Sequence, residues 1–233
     1  MIVCIILLAV GAILTTLYAL EKNSKYTLRT VILKAMASFF FVALAVYCFF
    51  KNSDHPFGFF AICGLASCLL GDIWLGLRHV IKEHSSLLLL AGFACFAVGH
   101  IFYVVGMMSP LMYPHDWYAY AIPIGGSVVC AIIMTLLEKP LKLKYGEFRI
   151  PCLIYCVLLF STLLTAVYLA VINGFGVASY NMLFAGAILF STSDIILCLT
   201  YFGENKSKPF FLISNTITYY VAQYIIAFSL FFM

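Results

Sequence analysis

The stretch that decides the fold is FGFFAICGLASCLLGDIWLGL, residues 57–77, in which Asp72 is the only charged side chain. A run of ~20 apolar residues is the length at which an α-helix crosses the ~30 Å hydrocarbon core of a bilayer. The stretch therefore predicts a membrane-spanning helix. It also raises the question of why a carboxyl group lies inside that helix.

Similar runs recur along the whole chain, in which 65% of the 233 residues are hydrophobic and 9% are charged. The mean hydropathy of +1.10 is far above what a soluble domain requires. The first run could be taken for a signal peptide, but no basic residue precedes it and no small-residue cleavage site is obvious, so we treat it as a span. We predict an all-α, polytopic helical bundle that forms a single transmembrane domain over residues 1–233. Its eight spans are predicted near residues 2–20, 28–50, 57–77, 86–107, 117–137, 150–172, 180–201 and 210–232.

Basic residues are distributed unequally between the two sides of the predicted membrane. Lys51 lies at an even-numbered loop and Lys34 lies inside a span, whereas all other basic residues lie at odd-numbered loops. By the positive-inside rule the odd-numbered loops are cytoplasmic, and both termini face the lumen or the exterior. The net charge of +4 reflects this topology and attraction to anionic lipids, so we expect no nucleic-acid partner. The basic residues of the odd-numbered loops are Lys22, Lys25, Arg29, Arg78, Lys82, Lys139, Lys142, Lys144, Arg149, Lys206 and Lys208.

Cysteine and histidine usage argues against a disulfide framework and against a metal site. All nine cysteines lie in predicted spans, where they pack as small apolar side chains. Among the five histidines only His100 lies in a span, which is fewer than an intramembrane zinc site requires. We therefore expect neither a metal ion nor another cofactor.

Polar side chains inside the spans fall into two layers when depth is counted at ~1.5 Å of rise per residue. Lys34, Asp72, Asp194 and Asn215 come from four different spans and lie at one level, roughly 10 Å from the cytoplasmic ends. Charged groups at this depth cost a few kcal/mol, so a functional role is the default hypothesis. The alternative is structural: a lysine and an aspartate that neutralise each other.

The second layer lies roughly 20 Å from the cytoplasmic side and contains His100 and Gln223. Tyr103 follows His100 by three residues and Tyr219 precedes Gln223 by four, so each pair shares a helical face. Together the layers predict a polar cleft that opens toward the cytoplasmic leaflet. Ordinary hydrogen bonds between helices are the alternative explanation.

An internal repeat connects the two aspartates. Gly64 precedes Asp72 and Gly186 precedes Asp194 by the same eight residues, and each aspartate is followed by Ile-x-Leu. Because the two helices lie four spans apart, they have the same orientation in the membrane. The pattern predicts two parallel four-helix repeats related by an axis along the membrane normal, with the two aspartates facing each other.

The motifs that hold these residues resemble a known family, the YhhN family of lysoplasmalogenases, over most of the chain. The resemblance implies an integral-membrane hydrolase acting on ether bonds. Its substrate would be a lysophospholipid, a lysoplasmalogen, whose vinyl ether is cleaved to a fatty aldehyde and glycerophosphocholine or glycerophosphoethanolamine. The motifs are VILKAMASF (31–39), GLASCLLGDIWLGL (64–77), GFACFAVGHIFY (92–103), GAILFSTSDIIL (186–197) and TITYYVAQYIIAFS (216–229).

The resemblance also implies which residues act, and the layers add Tyr103 and Asn215 to them. We expect Asp72 and Asp194 to be catalytic. The expected substrate contacts are Lys34, His100, Tyr103, Asn215, Tyr219, Tyr220 and Gln223; the positions carried over from the family's motifs are Lys34, Asp72, His100, Asp194, Tyr219, Tyr220 and Gln223.

The chemistry fits a carboxyl pair, because a vinyl ether hydrolyses by protonation at carbon, followed by attack of water on the oxocarbenium ion. One carboxyl group would hold a proton and act as the acid, and the other would stabilise the cation and activate water. The sequence leaves open which aspartate has which role, and whether Lys34 pairs with an aspartate or contacts the substrate phosphate.

Two other classes of function stay open at this point. A proton-coupled transporter would use paired intramembrane aspartates equally well, and a lipid-binding scaffold would bind lysolipid without turnover. Neither a lipidation motif nor a retention signal is apparent, so the endoplasmic reticulum and a bacterial plasma membrane are both open. The oligomeric state is open as well.

Overall fold

Eight long α-helices, connected by short loops, make up the fold in the computed structural model. The structure describes residues 1–24, 26–51, 56–109, 113–114, 116–204 and 209–233. All eight helices are long and apolar enough to cross a membrane, and no strand occurs in these residues. The helices are α1 (Ile2–Ser24), α2 (Leu28–Lys51), α3 (Pro56–Val80), α4 (Ser85–Met107), α5 (Trp117–Leu136), α6 (Arg149–Ile172), α7 (Ala178–Phe202) and α8 (Pro209–Ser229).

The predicted all-α membrane bundle is confirmed, and each helix contains the greater part of the span predicted for it. The helices differ from the spans mainly in being longer; α3, for example, continues to Val80 through Arg78. A helix does not have to end where the hydrocarbon core ends, because long basic side chains reach the headgroup region from the last turn. Lys25, Lys206 and Lys208, which contributed to the predicted charge asymmetry, lie outside the described residues.

Burial differs strongly between the helices. In α2, α3 and α8, 44% of the most apolar window is buried inside the protein, against 17% in α1 and 22% in α5. α1 and α5 therefore lie at the periphery, where their apolar side chains suit contact with lipid. The interior of the bundle is built largely from α2, α3 and α8.

The helix contacts repeat after four helices, as expected for two parallel repeats. α1 packs on α2, α2 on α3 and α3 on α4, and the same neighbours recur from α5 to α8. The halves contact each other mainly through α4 with α6 and through α8 with α2, which are equivalent contacts; α8 also contacts α1 and α3. α2 and α6 both have 24 residues, and α3 and α7 both have 25. This pairing brings α2, α3, α7 and α8 around one central space.

Candidate active site

A cavity of about 390 Å³ occupies this central space, and both aspartates line it. Its lining comes from α1, α2, α3, α4, α7 and α8. It extends to the end of the bundle at which α1 and α3 finish and α2 and α8 begin, where Lys22 and Arg78 line it. We call this end the basic end, because Arg29, Lys82 and Arg149 also lie there.

Asp72 of α3 is buried and has three side-chain partners among the described residues. Its Oδ1 forms an ion pair with the Nζ of Lys34 from α2 at 2.8 Å. Its Oδ2 accepts hydrogen bonds from the hydroxyl of Ser38 at 2.5 Å and from the phenol of Tyr219 at 2.7 Å. The phenol of Tyr220 donates to the Lys34 carbonyl oxygen at 3.1 Å and lies 3.2 Å from the Ser38 hydroxyl. Asp72 is therefore a carboxylate whose charge is balanced and whose position is held by α2 and α8.

Asp194 of α7 has a different kind of environment. Its Oδ2 accepts a hydrogen bond from the phenol of Tyr155 on α6. No basic side chain of the described residues forms an ion pair with it. The Nε2 of His100 lies 3.3 Å from the same phenol, and its Nδ1 lies 3.0 Å from the hydroxyl of Thr162. Because the phenol has one proton and donates it to Asp194, His100 contacts Tyr155 as a donor.

The two carboxyl groups occupy equivalent positions in the two repeats. Asp72 and Asp194 are each the seventeenth residue of their helices, and Lys34 and Tyr155 are each the seventh. The same position thus offers an ammonium group to one aspartate and a neutral phenol to the other. The two halves therefore agree in helix length and in the positions of these residues, but differ in the chemistry of the partner.

Among the expected substrate contacts, Lys34, Asn215, Tyr219 and Tyr220 line the cavity with the aspartates. Asn215 is held by Ser193, the neighbour of Asp194 in the chain: its Nδ2 donates to the Ser193 carbonyl oxygen at 2.8 Å and contacts the hydroxyl at 2.9 Å. The first predicted layer is therefore assembled around one space.

The second predicted layer, by contrast, does not line this cavity. His100 is buried against the ring of Phe190 at a centroid distance of 4.8 Å, and Tyr103 donates to the Oε1 of Gln223 at 3.2 Å. Phe96, Phe190 and Tyr219 form an aromatic cluster, with centroid distances of 5.7 to 6.4 Å, beside the cavity. The predicted polar cleft thus ends at the first layer, because aromatic rings fill the interior beyond it.

A narrower apolar space of about 50 Å³ adjoins the cavity and also reaches Asp194. Its other lining is almost entirely apolar or aromatic and comes mostly from α4, α6 and α7, with Phe93, Cys156 and Leu159 among the residues. Leu75, Phe96, Leu197 and Tyr201 line both spaces together with Asp194. Asp194 therefore lies where a polar space and an apolar space meet.

Residues 28–230, nearly the whole chain, match the family described as the YhhN family. The chain belongs to the YhhN family. No curated protein and no solved structure matches it. The match begins at the first residue of α2, so α1, which lines the cavity through Tyr18 and Lys22, precedes it.

Some polar residues of this YhhN chain line or support the site although the sequence did not mark them as candidate site residues, among them Ser38, Tyr155, Lys22 and Arg78. No motif in the sequence marked Tyr155, although its position in α6 corresponds to that of Lys34 in α2. Its helix, α6, shows no obvious similarity in sequence to α2, so only the shared helix lengths reveal the equivalence.

For a metal ion, the described part of this YhhN chain offers no group of three or more His, Cys, Asp or Glu side chains that could hold one. The expectation that the protein works without a metal or another cofactor stays a prediction.

Proposed function

We propose that this YhhN protein is a lysoplasmalogenase, which hydrolyses the vinyl ether bond of a lysoplasmalogen to a fatty aldehyde and glycerophosphocholine or glycerophosphoethanolamine. Family membership supports a membrane hydrolase. The observation that carries the proposal is the carboxyl pair, Asp72 and Asp194, which lines one cavity from equivalent positions but with different partners.

The different partners suggest a division of roles between the aspartates. Asp72, paired with Lys34, is a carboxylate suited to stabilising a developing cation. Asp194 contacts a neutral phenol and lies at the apolar space, where a carboxyl group that keeps its proton fits better than a bare carboxylate. With its Oδ2 accepting from Tyr155, a proton on its Oδ1 is left for the substrate. Asp194 is then the general acid.

The reaction begins with transfer of the Asp194 proton to the β-carbon of the vinyl ether, the vinyl carbon that is not bonded to oxygen. This leaves an oxocarbenium ion beside Asp72. Water adds to the cationic carbon and gives up a proton to a carboxylate of the pair, and proton exchange in the cavity restores Asp194. The resulting hemiacetal collapses to aldehyde and glycerophospho-alcohol. One water molecule is consumed, and no redox step occurs.

The two spaces fit the two parts of this substrate. The headgroup and glycerol suit the larger cavity, and the first carbons of the alkenyl chain suit the apolar space. Several side chains around the apolar space are only half-buried, Phe93, Cys156 and Phe160 among them, so the rest of the chain can continue toward the lipid. The vinyl ether, which joins the two parts, then lies at Asp194.

The proposal is tested with purified protein in detergent and three matched lysophospholipids, with a 1-alkenyl, a 1-acyl or a 1-alkyl chain. We expect aldehyde release from the 1-alkenyl lipid alone. Release of fatty acid from the 1-acyl lipid would identify an esterase instead. Binding without any product, together with substrate flux in sealed vesicles, would favour the proton-coupled transporter.

Chelation tests the mechanism in the same assay. Because the proposed acid is a carboxyl group, hydrolysis of the 1-alkenyl lipid should be unchanged after exhaustive treatment with EDTA. If EDTA abolished hydrolysis and added zinc restored it, a metal-activated water and not Asp194 would drive the reaction.

A further inference from the structure

Two basic side chains line the cavity at its basic end without a carboxylate partner. Lys22 of α1 and Arg78 of α3 both line the cavity, and neither forms an ion pair with any described residue. Lys34, the third cation of the lining, is already paired with Asp72. Lys22 and Arg78 are therefore the positive groups that the proposed reaction leaves unused.

The local contacts of these two cations are neutral. The Nζ of Lys22 donates to the hydroxyl of Thr216 at 3.3 Å and lies 5.5 Å from the centre of the Tyr18 ring. The guanidinium of Arg78 lies 4.4 Å from the centre of the Tyr201 ring, and its Nε donates to the hydroxyl of Ser85 at 3.2 Å. These contacts hold both side chains in place but do not neutralise them.

Arg78 also has a buried nitrogen, Nη1, that finds no hydrogen-bond acceptor among the described residues. Buried donors are nearly always paired, and leaving one unpaired is costly, more so when it carries charge. Because the Arg78 side chain lines the cavity, a ligand bound there can supply the acceptor after a small rotation of the guanidinium group. An anionic acceptor fits this place best, because Lys22 and Arg78 border the same space and neither has a carboxylate partner among the described residues.

We infer that Lys22 and Arg78 form a phosphate subsite, which binds the phosphodiester of the lysophospholipid headgroup. An arginine and a lysine together suit a phosphate, because the guanidinium fork can donate two parallel bonds and the ammonium adds a point charge. This inference rests on the proposed function, because it assigns a binding place to the phosphate of the proposed substrate, away from the aspartates.

The position of the subsite fits the length of the substrate. Arg78 follows Asp72 by six residues on α3, which corresponds to roughly 9 Å of helix rise. The glycerol backbone joins the ether oxygen to the phosphate, and extended side chains cover the remaining distance. Phosphate at the basic end therefore places the vinyl ether near the carboxyl pair. Lys34 is left to Asp72 and is not needed for the phosphate.

The test measures binding without turnover, so that it stands even if the proposed hydrolysis fails. The probes are a radiolabelled 1-O-alkyl lysophosphocholine, whose saturated ether is not cleaved by this chemistry, and the phosphate-free 1-O-alkylglycerol. Both are titrated against the purified full chain and its Arg78→Gln and Lys22→Gln variants. Arg29→Gln and Lys82→Gln are matched controls, because both residues lie exposed at the basic end and neither lines the cavity.

We expect Arg78→Gln and Lys22→Gln each to weaken binding of the lysophosphocholine at least ~10-fold, and both to leave binding of the alkylglycerol unchanged. The two control variants should bind both probes like the unmodified protein. Equal losses for both probes would mean that the side chains only shape the cavity, and would overturn the subsite. So would unchanged binding of the lysophosphocholine.

Two further arms identify the source of the phosphate and protect against a folding defect. Inorganic phosphate that displaced the probe as effectively as unlabelled lysophosphocholine would assign the site to a free anion and overturn the headgroup assignment. If Arg78→Gln does not yield folded protein, Lys22→Gln and Arg78→Lys are used instead. Arg78→Lys should show an intermediate loss of affinity for the lysophosphocholine, because lysine keeps the positive charge but not the two parallel donors of the guanidinium group.

Turnover, where it occurs, supplies a second readout. Arg78→Gln should raise KM for the lysoplasmalogen and leave kcat and the hydrolysis of headgroup-free 1-O-alkenylglycerol unchanged. Hydrolysis with unchanged KM would overturn the subsite alone. Absence of all hydrolysis, with the binding difference intact, would overturn the proposed function alone.

Discussion

Each carboxyl group of the site depends on one side chain of a neighbouring helix for its charge environment. Asp72 and Lys34 form a pair with no net charge, and the hydroxyls of Ser38 and Tyr219 complete its hydrogen bonding. Asp194 has one phenol, Tyr155, and no cation among the described residues. The two aspartates are therefore expected to respond differently to the same substitution.

Asp194→Asn is the cleaner test of the chemistry, because the amide has nearly the volume of the carboxyl group and leaves no cation unpaired. We expect kcat for the lysoplasmalogen to fall at least ~10²-fold, the contribution of a general acid, with a normal melting temperature in detergent. Tyr155→Phe, which keeps the acid and removes only its hydrogen bond, should lose less. Near-normal hydrolysis by folded Asp194→Asn would remove this residue from the mechanism.

Asp72 and Lys34 have to be tested together, because either single substitution leaves the other side chain as a buried charge without its ion-pair partner. Breaking a buried ion pair by removing one partner costs about 3–5 kcal/mol, whereas replacing both partners is often close to neutral. Lys34→Met and Asp72→Asn should each lower the melting temperature, and the double variant should recover much of the loss.

The Lys34→Met, Asp72→Asn double variant should nevertheless be inactive, since the amide at position 72 has no negative charge with which to stabilise the cation. Two independent and additive losses of stability would show that the ion pair is not a unit. A folded, active double variant would assign the pair a purely structural role.

At the scale of the helices, the position of Asp72 depends on the close approach of α3 and α4. A Cβ on Gly99 of α4 would lie 3.0 Å from the Sγ of Cys68 and 3.1 Å from the carbonyl oxygen of Gly64. A Cβ on Gly71, directly before Asp72, would lie 2.7 Å from the Phe96 ring. Small residues at such an interface let the two backbones pack closely, which is how membrane helices commonly associate.

Gly99→Val should therefore destabilise the bundle, because the added side chain meets the backbone carbonyl oxygen of Gly64, which cannot turn away, as well as the Cys68 side chain. We expect a loss of about 1–3 kcal/mol, typical of overpacking, measured as a lower melting temperature in detergent. Gly125→Val is the matched control, since a Cβ on Gly125 of α5 meets nothing within 4 Å. Equal melting temperatures for the two variants would contradict the close packing of α3 on α4.

At the scale of the whole molecule, the charge distribution predicts how the bundle is oriented in the membrane. Lys22, Arg78 and the other basic residues of the basic end lie on one side, and Lys51 ends α2 on the other. The cavity and the inferred phosphate subsite open at the basic end. If that end is cytoplasmic, as the positive-inside rule predicts, the substrate enters from the cytoplasmic leaflet.

Tags at both termini test this orientation, because an even number of spans puts them on the same side. We expect tags at Met1 and Met233 to be protected from protease added to the cytoplasmic side and cleaved from the other side. A cytoplasmic terminus would reverse the bundle and place the cavity mouth in the opposite leaflet.

The amino-acid sequence by itself determined the eight spans. Any helix that crosses a bilayer needs an apolar run of sufficient length, and the length of such a run can be counted in the local sequence. It also placed Asp72, Asp194, Lys34 and Asn215 at one level, since depth follows from rise per residue alone. These residues do line one cavity.

Only the tertiary structure decided which side chains meet, because depth along a helix carries no information on how the helix is rotated against its neighbours. Lys34 could have faced either aspartate or the substrate, and the packing of α2 on α3 brings it into an ion pair with Asp72. Tyr155, which no motif marked, reaches Asp194 through the packing of α6 on α7, and His100 and Gln223 have the right polarity but lie away from the cavity. The unequal partners of two equivalent carboxyl groups are a property of contacts between helices, and local sequence does not encode them.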